Sequence, residues 1–459
     1  MSGRTRTRSL DAALAATVVL TALTGRALAH GGSLRGASGD SLSVPTWLFL
    51  LTGGGAVSAS FLLASFVTDR AFIRALHDWR RRLATLNDHL VTATRAVGVL
   101  ALAAIVVAGF VGPSAPRRNI AILVVWVGWW AGFTATTYLV GNAWPAINPW
   151  RTIADLLPGG TTDYPERLGA WPSVAGLLAL VWLEVVSPLA SDPDLLAGVV
   201  LVYSAVTLAG AAVYGTDRWF GTVDPVARVF CYYGRVAPVR RTDDGFELRL
   251  PGARLAETKL VTGFDEVAFV VALLWVTTYD GLVATDLWAD AARAVVGIGV
   301  PPRVVYLAAL LAGYVFFLGV YWLAARLARR SADTYLTLAA IARRFAPSLL
   351  PIAAGYHLAH YLGYFLALSP TLFGALASPL SPPQAVVIVL PAWFGGLQMS
   401  FVLLGHLLAV WVAHATAYRL FPMRLQAVRS QYALVVVMIL YTMTSMWIVS
   451  QPSVDPPYV

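Results

Sequence analysis

The segment FAPSLLPIAAGYHLAHYLGYFLAL, residues 345–368, carries two histidines, His357 and His360, but no Asp, Glu, Lys or Arg. It is long enough to cross the hydrocarbon core of a membrane as one helix, which takes about 20 residues. Comparable apolar runs recur along the whole chain and predict about ten membrane-crossing helices after a cleavable signal peptide. Their predicted bounds are 45–67, 91–111, 119–141, 171–190, 195–216, 263–283, 303–327, 345–368, 394–420 and 431–450.

The composition predicts the same fold class. Of the 459 residues, 58% are hydrophobic and 12% are charged, and the mean hydropathy is +0.68. A typical soluble protein has about 25% charged residues, so a soluble domain is excluded. We therefore expect an all-α protein, a polytopic transmembrane helical bundle over residues 45–450, in the plasma membrane and with the lipid bilayer as its partner.

The net charge of +9 comes from arginines that lie mostly in short connections between the apolar runs. Such a pattern orients helices and forms no groove for DNA or RNA, so we expect no nucleic-acid partner. The basic connections are expected in the cytoplasm, with the mature N-terminus and the tail 451–459 outside the cell. The single cysteine, Cys231, excludes an intrachain disulfide and a metal site with several cysteines. The arginines that set this orientation are Arg70, Arg74, Arg80, Arg81, Arg82, Arg218, Arg228, Arg235, Arg240, Arg241, Arg326, Arg329, Arg330, Arg343, Arg344, Arg419, Arg424 and Arg429.

The N-terminus, residues 1–29, has the three parts of a signal peptide: a basic start, an apolar core and the small-x-small sequence Ala27-Leu28-Ala29. Cleavage would leave a short extracytoplasmic lead, residues 30–44, that begins with His30. An N-terminal histidine can chelate copper through its amine and imidazole. The alternative is that residues 12–29 stay as an uncleaved anchor.

The largest connection, residues 217–262, is predicted to be cytoplasmic. Residues 246–250 alternate apolar and polar side chains after the turn sequence Asp243-Asp244-Gly245, which predicts a β-hairpin. Residues 69–90 and 147–158 are typical of amphipathic segments at the membrane surface. In the second of these, Asn148 is expected to cap a short helix.

His357 and His360 are three residues apart, so on a helix their rings lie on one face, about 60° and about 4.5 Å apart. The orientation of the helices predicts that His406, in the run 394–420, lies at the same depth as His357. We therefore predict a three-histidine site for a divalent metal ion, copper or zinc, between these two helices. His414, two turns beyond His406, is expected instead to form a hydrogen bond with a neighbouring helix.

Two carboxylates, Glu184 and Asp280, lie within apolar runs at a predicted depth close to that of His360. Ionisable groups at membrane depth are costly and usually face the bundle interior. Glu184 or Asp280 would then complete a metal site, orient an imidazole, or act catalytically as a general base. The alternative is that each is a helix-end residue in the headgroup region.

Short motifs along the chain resemble those of a family of prokaryotic polytopic membrane proteins, several of which carry the label fenitrothion hydrolase. The resemblance implies a shared membrane fold and cleavage of organophosphate esters by a membrane-bound enzyme. The matching motifs are Ala29-His30-Gly31, Asn148-Pro149-Trp150-Arg151, Trp182-Leu183-Glu184, Tyr279-Asp280-Gly281, Tyr356-His357, His360-Tyr361, Gly405-His406 and His414.

Three functions fit these residues. In a metal-dependent hydrolase, a bound ion would generate hydroxide for attack on an ester. In a transporter or a metal-handling protein for copper or zinc, the same side chains would line a transit site near the bilayer midplane. In a b-haem redox protein, His357 and His406 would be the axial ligands. A scaffold role without chemistry is the fourth reading.

Overall fold

The computed structural model of the protein describes residues 46–83, 88–242, 245–257, 260–379 and 381–458. Within these ranges the fold is an all-α helical bundle with one small sheet, as the composition predicts. The signal peptide, the lead 30–44 with His30, and the turn residues Asp243 and Asp244 lie outside the described residues.

The chain forms the following helices in order. They are α1 Thr46–Phe66, α2 Arg70–Asp78, α3 Asp88–Val111, α4 Ile120–Leu139, α5 Trp144–Ile147, α6 Pro149–Ala154, α7 Trp171–Val186, α8 Pro193–Tyr214, α9 Thr216–Arg218, α10 Pro225–Tyr233, α11 Phe264–Val283, α12 Asp286–Gly297, α13 Pro302–Ala332, α14 Leu338–Phe345, α15 Leu350–Ala377, α16 Phe394–Leu420, α17 Arg424–Arg429 and α18 Tyr432–Ser450. The strands are β1 Arg80–Arg82, β2 Val239–Thr242 and β3 Gly245–Arg249.

A helix occurs at each of the predicted spans, but the helices differ in how well they suit a membrane. Seven of those in the described ranges are long and apolar enough to cross one: α3, α4, α8, α11, α13, α16 and the pair α17–α18. Helices α1 and α2 form a bent pair, with 114° between them. Helix α7 has 16 residues rather than the predicted longer span, because Pro188 starts a separate 3₁₀ turn.

Helix α15 has 28 residues and carries His357 and His360. It is not among those seven because its histidines, tyrosines and glycines lower its hydropathy. It packs antiparallel to α16 at two glycines: a Cβ on Gly355 would lie 3.0 Å from the Gly405 Cα atom. Small residues allow such close backbone approach. Gly355 lies beside Gly405 and the Ala359 carbonyl accepts a hydrogen bond from Gln398, so His406 is level with residues about one turn before His357 in α15.

Helix α15 also packs against α11 and the middle of α4. Almost all of α11 is buried, so it is an inner helix of the bundle. The middle of α4, Leu123–Phe133, is π-helical, a geometry that is rare and often found at functional sites. Gly132 packs on the ring of Phe365, since a Cβ there would lie 2.7 Å from that ring.

The sheet lies at one end of the bundle and has the order β1-β3-β2, with both pairs antiparallel. Strands β2 and β3 form a hairpin within the connection 217–262. Strand β1 is a difference from the sequence interpretation, which assigned residues 69–90 to one amphipathic segment. That segment is a helix only to Asp78, and Arg80–Arg82 then pairs with the free edge of β3. We call this end of the bundle the sheet end.

Candidate functional site

The centre of the site is Asp280 on α11, whose side chain meets two side chains of α15. The Tyr361 hydroxyl donates a hydrogen bond to Asp280 Oδ2 over 2.8 Å. His360 Nε2 lies 3.3 Å from the same oxygen. Asp280 is buried, so it lies inside the protein rather than at an exposed helix end. One carboxylate oxygen therefore joins two groups that can carry a proton.

Local sequence explains how α11 and α15 come this close. Residue 281 is glycine, and a Cβ there would lie 1.9 Å from the Tyr356 hydroxyl oxygen. Tyr356 can therefore pack against α11 directly beside Asp280, and its ring stacks on that of His360 with 9° between the planes. The Tyr279-Asp280-Gly281 sequence thus serves both the chemistry and the packing.

Glu184 belongs to the same site. It lies on α7, which packs against α11, and its charge interacts with that of Asp280. The charge also acts on Tyr361 and Tyr364 of α15. Asp280, Glu184, His360 and Tyr361 form what we call the Asp280 cluster. The structure thus brings together three of the five residues that the sequence proposed for the site.

His357 lies one turn closer to the sheet end than Tyr361 and is fully buried. Its Nδ1 atom is 3.0 Å from the hydroxyl oxygen of Tyr138 on α4. Its ring centroid is 4.6 Å from that of Tyr361, and Trp130 and Tyr233 pack on other sides. The second ring nitrogen, Nε2, is buried and has no hydrogen-bond partner among the described residues. A buried polar atom of this kind costs about 1–3 kcal/mol, which makes this nitrogen a candidate binding position.

His406 has other surroundings. Its Nδ1 atom lies 2.8 Å from the Val402 carbonyl oxygen, one turn earlier in α16. No hydrogen bond or ring contact within the described ranges joins it to His357 or His360. In the described part of the chain, no group of three His, Cys, Asp or Glu side chains could hold a metal ion. Helices α15 and α16 pack together, but their register does not bring His406 level with His357, and the three-histidine copper or zinc site stays a prediction.

His414 and Asn148 have structural roles. His414 Nε2 lies 2.9 Å from the Val67 carbonyl oxygen, and its Nδ1 lies 3.3 Å from Gln431 Oε1. Both ring nitrogens therefore have partners in neighbouring segments, as expected. The Asn148 side chain accepts a hydrogen bond from the Arg151 amide and caps α6. Neither residue contributes to the Asp280 cluster.

The structure adds residues that the sequence did not indicate, above all Tyr138, Tyr233 and Trp130. The rings of Tyr138 and Tyr233 are 5.4 Å apart, and Tyr233 ends α10. Tyr138 lies one turn before Gly141, which forms a β-bridge with Val239. Polar groups therefore extend from the Asp280 cluster through His357 to the sheet end. Single aromatic residues in apolar runs usually belong to a core, so the sequence held no signal for this connection beyond the many tryptophans of α4.

No known protein-family model, curated protein or solved structure matches the chain. The interpretation of the site therefore depends on its geometry.

Proposed function

We propose that the protein is an integral membrane transporter that moves protons along the chain of side chains from His360 to Tyr138. The observation that supports this most directly is the sequence of contacts His360–Asp280–Tyr361–His357–Tyr138 inside the bundle. Proton relays in pumps and transporters are built from such buried carboxylate and imidazole groups.

The membrane location is supported by seven apolar helices of sufficient length and by the low charge content. The positive-inside rule favours a cytoplasmic sheet end, because the sheet and the nearby loops carry many arginines. His360 and Asp280 would then lie at the outer end of this chain of side chains, and Tyr138 near its inner end.

Each transfer has a donor and an acceptor in this arrangement. His360, whose side chain is 31% exposed, would take up a proton and give it from Nε2 to Asp280 Oδ2. Tyr361 donates to the same oxygen and packs on His357. A water molecule hydrogen-bonded to Tyr361 and to His357 would carry the proton to His357 Nε2. His357 would release a proton from Nδ1 to the Tyr138 hydroxyl oxygen, and Tyr138 would release its own proton toward Tyr233. Histidine suits this role because one ring nitrogen can accept a proton while the other releases one.

Hydrolysis, which the resemblance to the fenitrothion hydrolase family implies, has less support from this geometry. A metal-bound hydroxide would need a set of ligands, and the described residues include no group of three His, Cys, Asp or Glu side chains that could hold the ion. Among the described residues, the hydrogen bond of His406 is to the Val402 carbonyl oxygen of its own helix.

Reconstitution in liposomes tests the proposal. Purified protein with an imposed potassium diffusion potential should acidify or alkalinise the lumen, read with a pH-sensitive dye, faster than empty liposomes. Asp280→Asn keeps the size and the hydrogen-bond acceptor but cannot carry the proton, so the flux should fall at least about tenfold. The control is Asp290→Asn, in an exposed ion pair of α12. Equal proton flux in Asp280→Asn and wild type would overturn the proposal.

The same preparation separates the alternatives. Metal content measured on wild type and on His360→Gln tests the ion site, and release of the leaving group from a phosphotriester tests hydrolysis. Metal that copurifies with wild type alone, together with hydrolysis and without proton flux, would favour the enzyme.

A further inference from the structure

Arg254 is buried at the sheet end. It lies in the 3₁₀ turn Ala253–Ala256 that follows β3, and 7% of the residue is exposed. Arginine is almost never buried this fully unless it is paired. In the described part of the chain, Arg254 has neither a hydrogen bond nor an ion pair with its guanidinium, and its Nε atom is buried without a partner.

The charges around Arg254 are mostly of the same sign. Burial, and then the nearby Arg235 and Arg240, lower the pKa of Arg254 to about 10. Glu257 is also close, but it pairs with Arg249 over 3.1 Å. Glu247 pairs with Arg249 as well.

Two of the three clustered guanidinium groups have an acidic neighbour but no ion pair with it: Glu257 lies near Arg254, and Glu247 is the cross-strand neighbour of Arg240. Arg249 has two glutamates, whereas Arg235, Arg240 and Arg254 form no ion pair within the residues that the structure describes. We call these three residues the arginine triad. Bringing like charges together in a partly buried position is unfavourable unless an anion compensates them.

The backbone holds the arginine triad in place. The Gly252 amide donates to the Val236 carbonyl oxygen over 2.8 Å, and the Arg249 amide donates to the Pro238 carbonyl oxygen over 2.8 Å. Gly252 has a left-handed conformation, with φ of 71°, and packs on Leu408 of α16. Arg254 therefore cannot leave its position by a simple movement of an exposed loop.

We infer that the arginine triad binds a phosphate group. Guanidinium groups form paired, charge-assisted hydrogen bonds with phosphate oxygens, and several of them around one anion would offset their mutual repulsion. The phosphate could belong to an anionic lipid headgroup or to a soluble phosphate compound, since the chemistry of the contact is the same. This site is separate from the Asp280 cluster and does not depend on proton transport.

The test uses the full-length protein in detergent and measures its thermal unfolding. One arm adds inorganic phosphate and the other adds phosphatidylglycerol, each compared with chloride or with phosphatidylcholine at equal ionic strength. A rise in the unfolding temperature in the first arm identifies a soluble phosphate, and a rise only in the second identifies a lipid headgroup.

Three variants complete the test. Arg254→Gln and, in case that variant does not fold, Arg240→Gln should each raise the midpoint concentration of the active compound roughly tenfold or more, because a charged hydrogen bond is lost. Arg241→Gln is the matched control: it removes the same charge from the next position of β2, where the side chain is exposed. No stabilisation of wild type in either arm, or equal midpoints for Arg240→Gln and Arg241→Gln, would overturn the inference.

Discussion

His360 Nε2 and Asp280 Oδ2 are 3.3 Å apart, yet 31% of the His360 side chain is exposed and only 9% of the Asp280 side chain. The pair therefore connects an accessible group with a buried one. Such a step is what a proton needs in order to enter a low-dielectric interior, where an isolated charge is costly.

Tyr361→Phe should reduce the proton flux several-fold while leaving the fold intact. The change removes only the hydroxyl that donates to Asp280 Oδ2, so packing on His357 is kept and the hydrogen-bonded route between Asp280 and His357 is broken. Liposome flux and the unfolding temperature are the two measurements. Tyr364→Phe, the same change one turn along α15, is the control. If both variants transport equally, Tyr361 is not part of the route.

His414→Ala should lower the stability and leave the proton flux unchanged, the opposite of what we expect for Tyr361→Phe. Its two ring nitrogens lie beside the Val67 carbonyl oxygen and Gln431 Oε1, and a neutral imidazole donates its one N–H to one of these oxygens, so removal leaves that acceptor without its donor. We expect the protein to lose about 1–3 kcal/mol of stability, seen as a lower unfolding temperature. Proton flux per folded molecule should remain close to that of wild type. A loss of flux without a loss of stability would mean that His414 takes part in transport.

Gly355→Ala should weaken the contact between α15 and α16. The added Cβ would lie 2.6 Å from the Phe401 carbonyl oxygen, which is backbone and cannot rotate away. Overpacking of this kind costs about 1–3 kcal/mol, and the helices would have to separate. The control is Gly395→Ala in α16, where nothing lies within 4 Å of the new Cβ. The fraction of monodisperse protein that remains after heating, measured by size-exclusion chromatography, gives the difference in heat stability. Equal heat stability of the two variants would contradict the predicted contact.

The sequence predicted the helical fold and the position of every long helix, because apolar runs and charged connections are local signals. It also predicted that Asp280, Glu184 and His360 lie at one depth. It could not predict which helix faces which, so the direction of the His406 side chain was inferred from depth alone. Depth alone does not predict which rings touch, because successive residues point about 100° apart around the helix axis.

Other features depended on tertiary pairing. Strand β1 forms because the β2–β3 hairpin has a free edge, and the sequence Arg80-Arg81-Arg82 has no strand pattern of its own. The π-helical turns of α4 were equally invisible, since their apolar residues fit any helix. Tyr138 became a candidate only when the structure brought it 3.0 Å from His357.

Asp224 provides a test of the electrostatics at the sheet end, because it caps α10 while nearly fully buried. Burial raises its pKa to about 6, although the Tyr203 hydroxyl and the Ala227 amide both donate to it. Between about pH 4 and pH 6, the Asp224 carboxyl is therefore protonated in the folded state and ionised in the unfolded state. The free energy of unfolding falls as pH rises through this window.

Asp224→Asn removes the charge but keeps an oxygen that can accept the cap hydrogen bond from Ala227. Near pH 7.5 the wild-type carboxylate is ionised, and its burial destabilises the folded state. The variant should therefore unfold at a higher temperature, with a free energy of unfolding higher by an amount on the order of 2–3 kcal/mol. Near pH 4 the folded wild type holds its proton, and the difference should shrink toward zero. Asp290→Asn, at an exposed position, should have no such pH dependence. If the unfolding temperatures of Asp224→Asn and wild type differ by the same amount at both pH values, Asp224 does not carry a buried charge at pH 7.5, and the difference comes from packing.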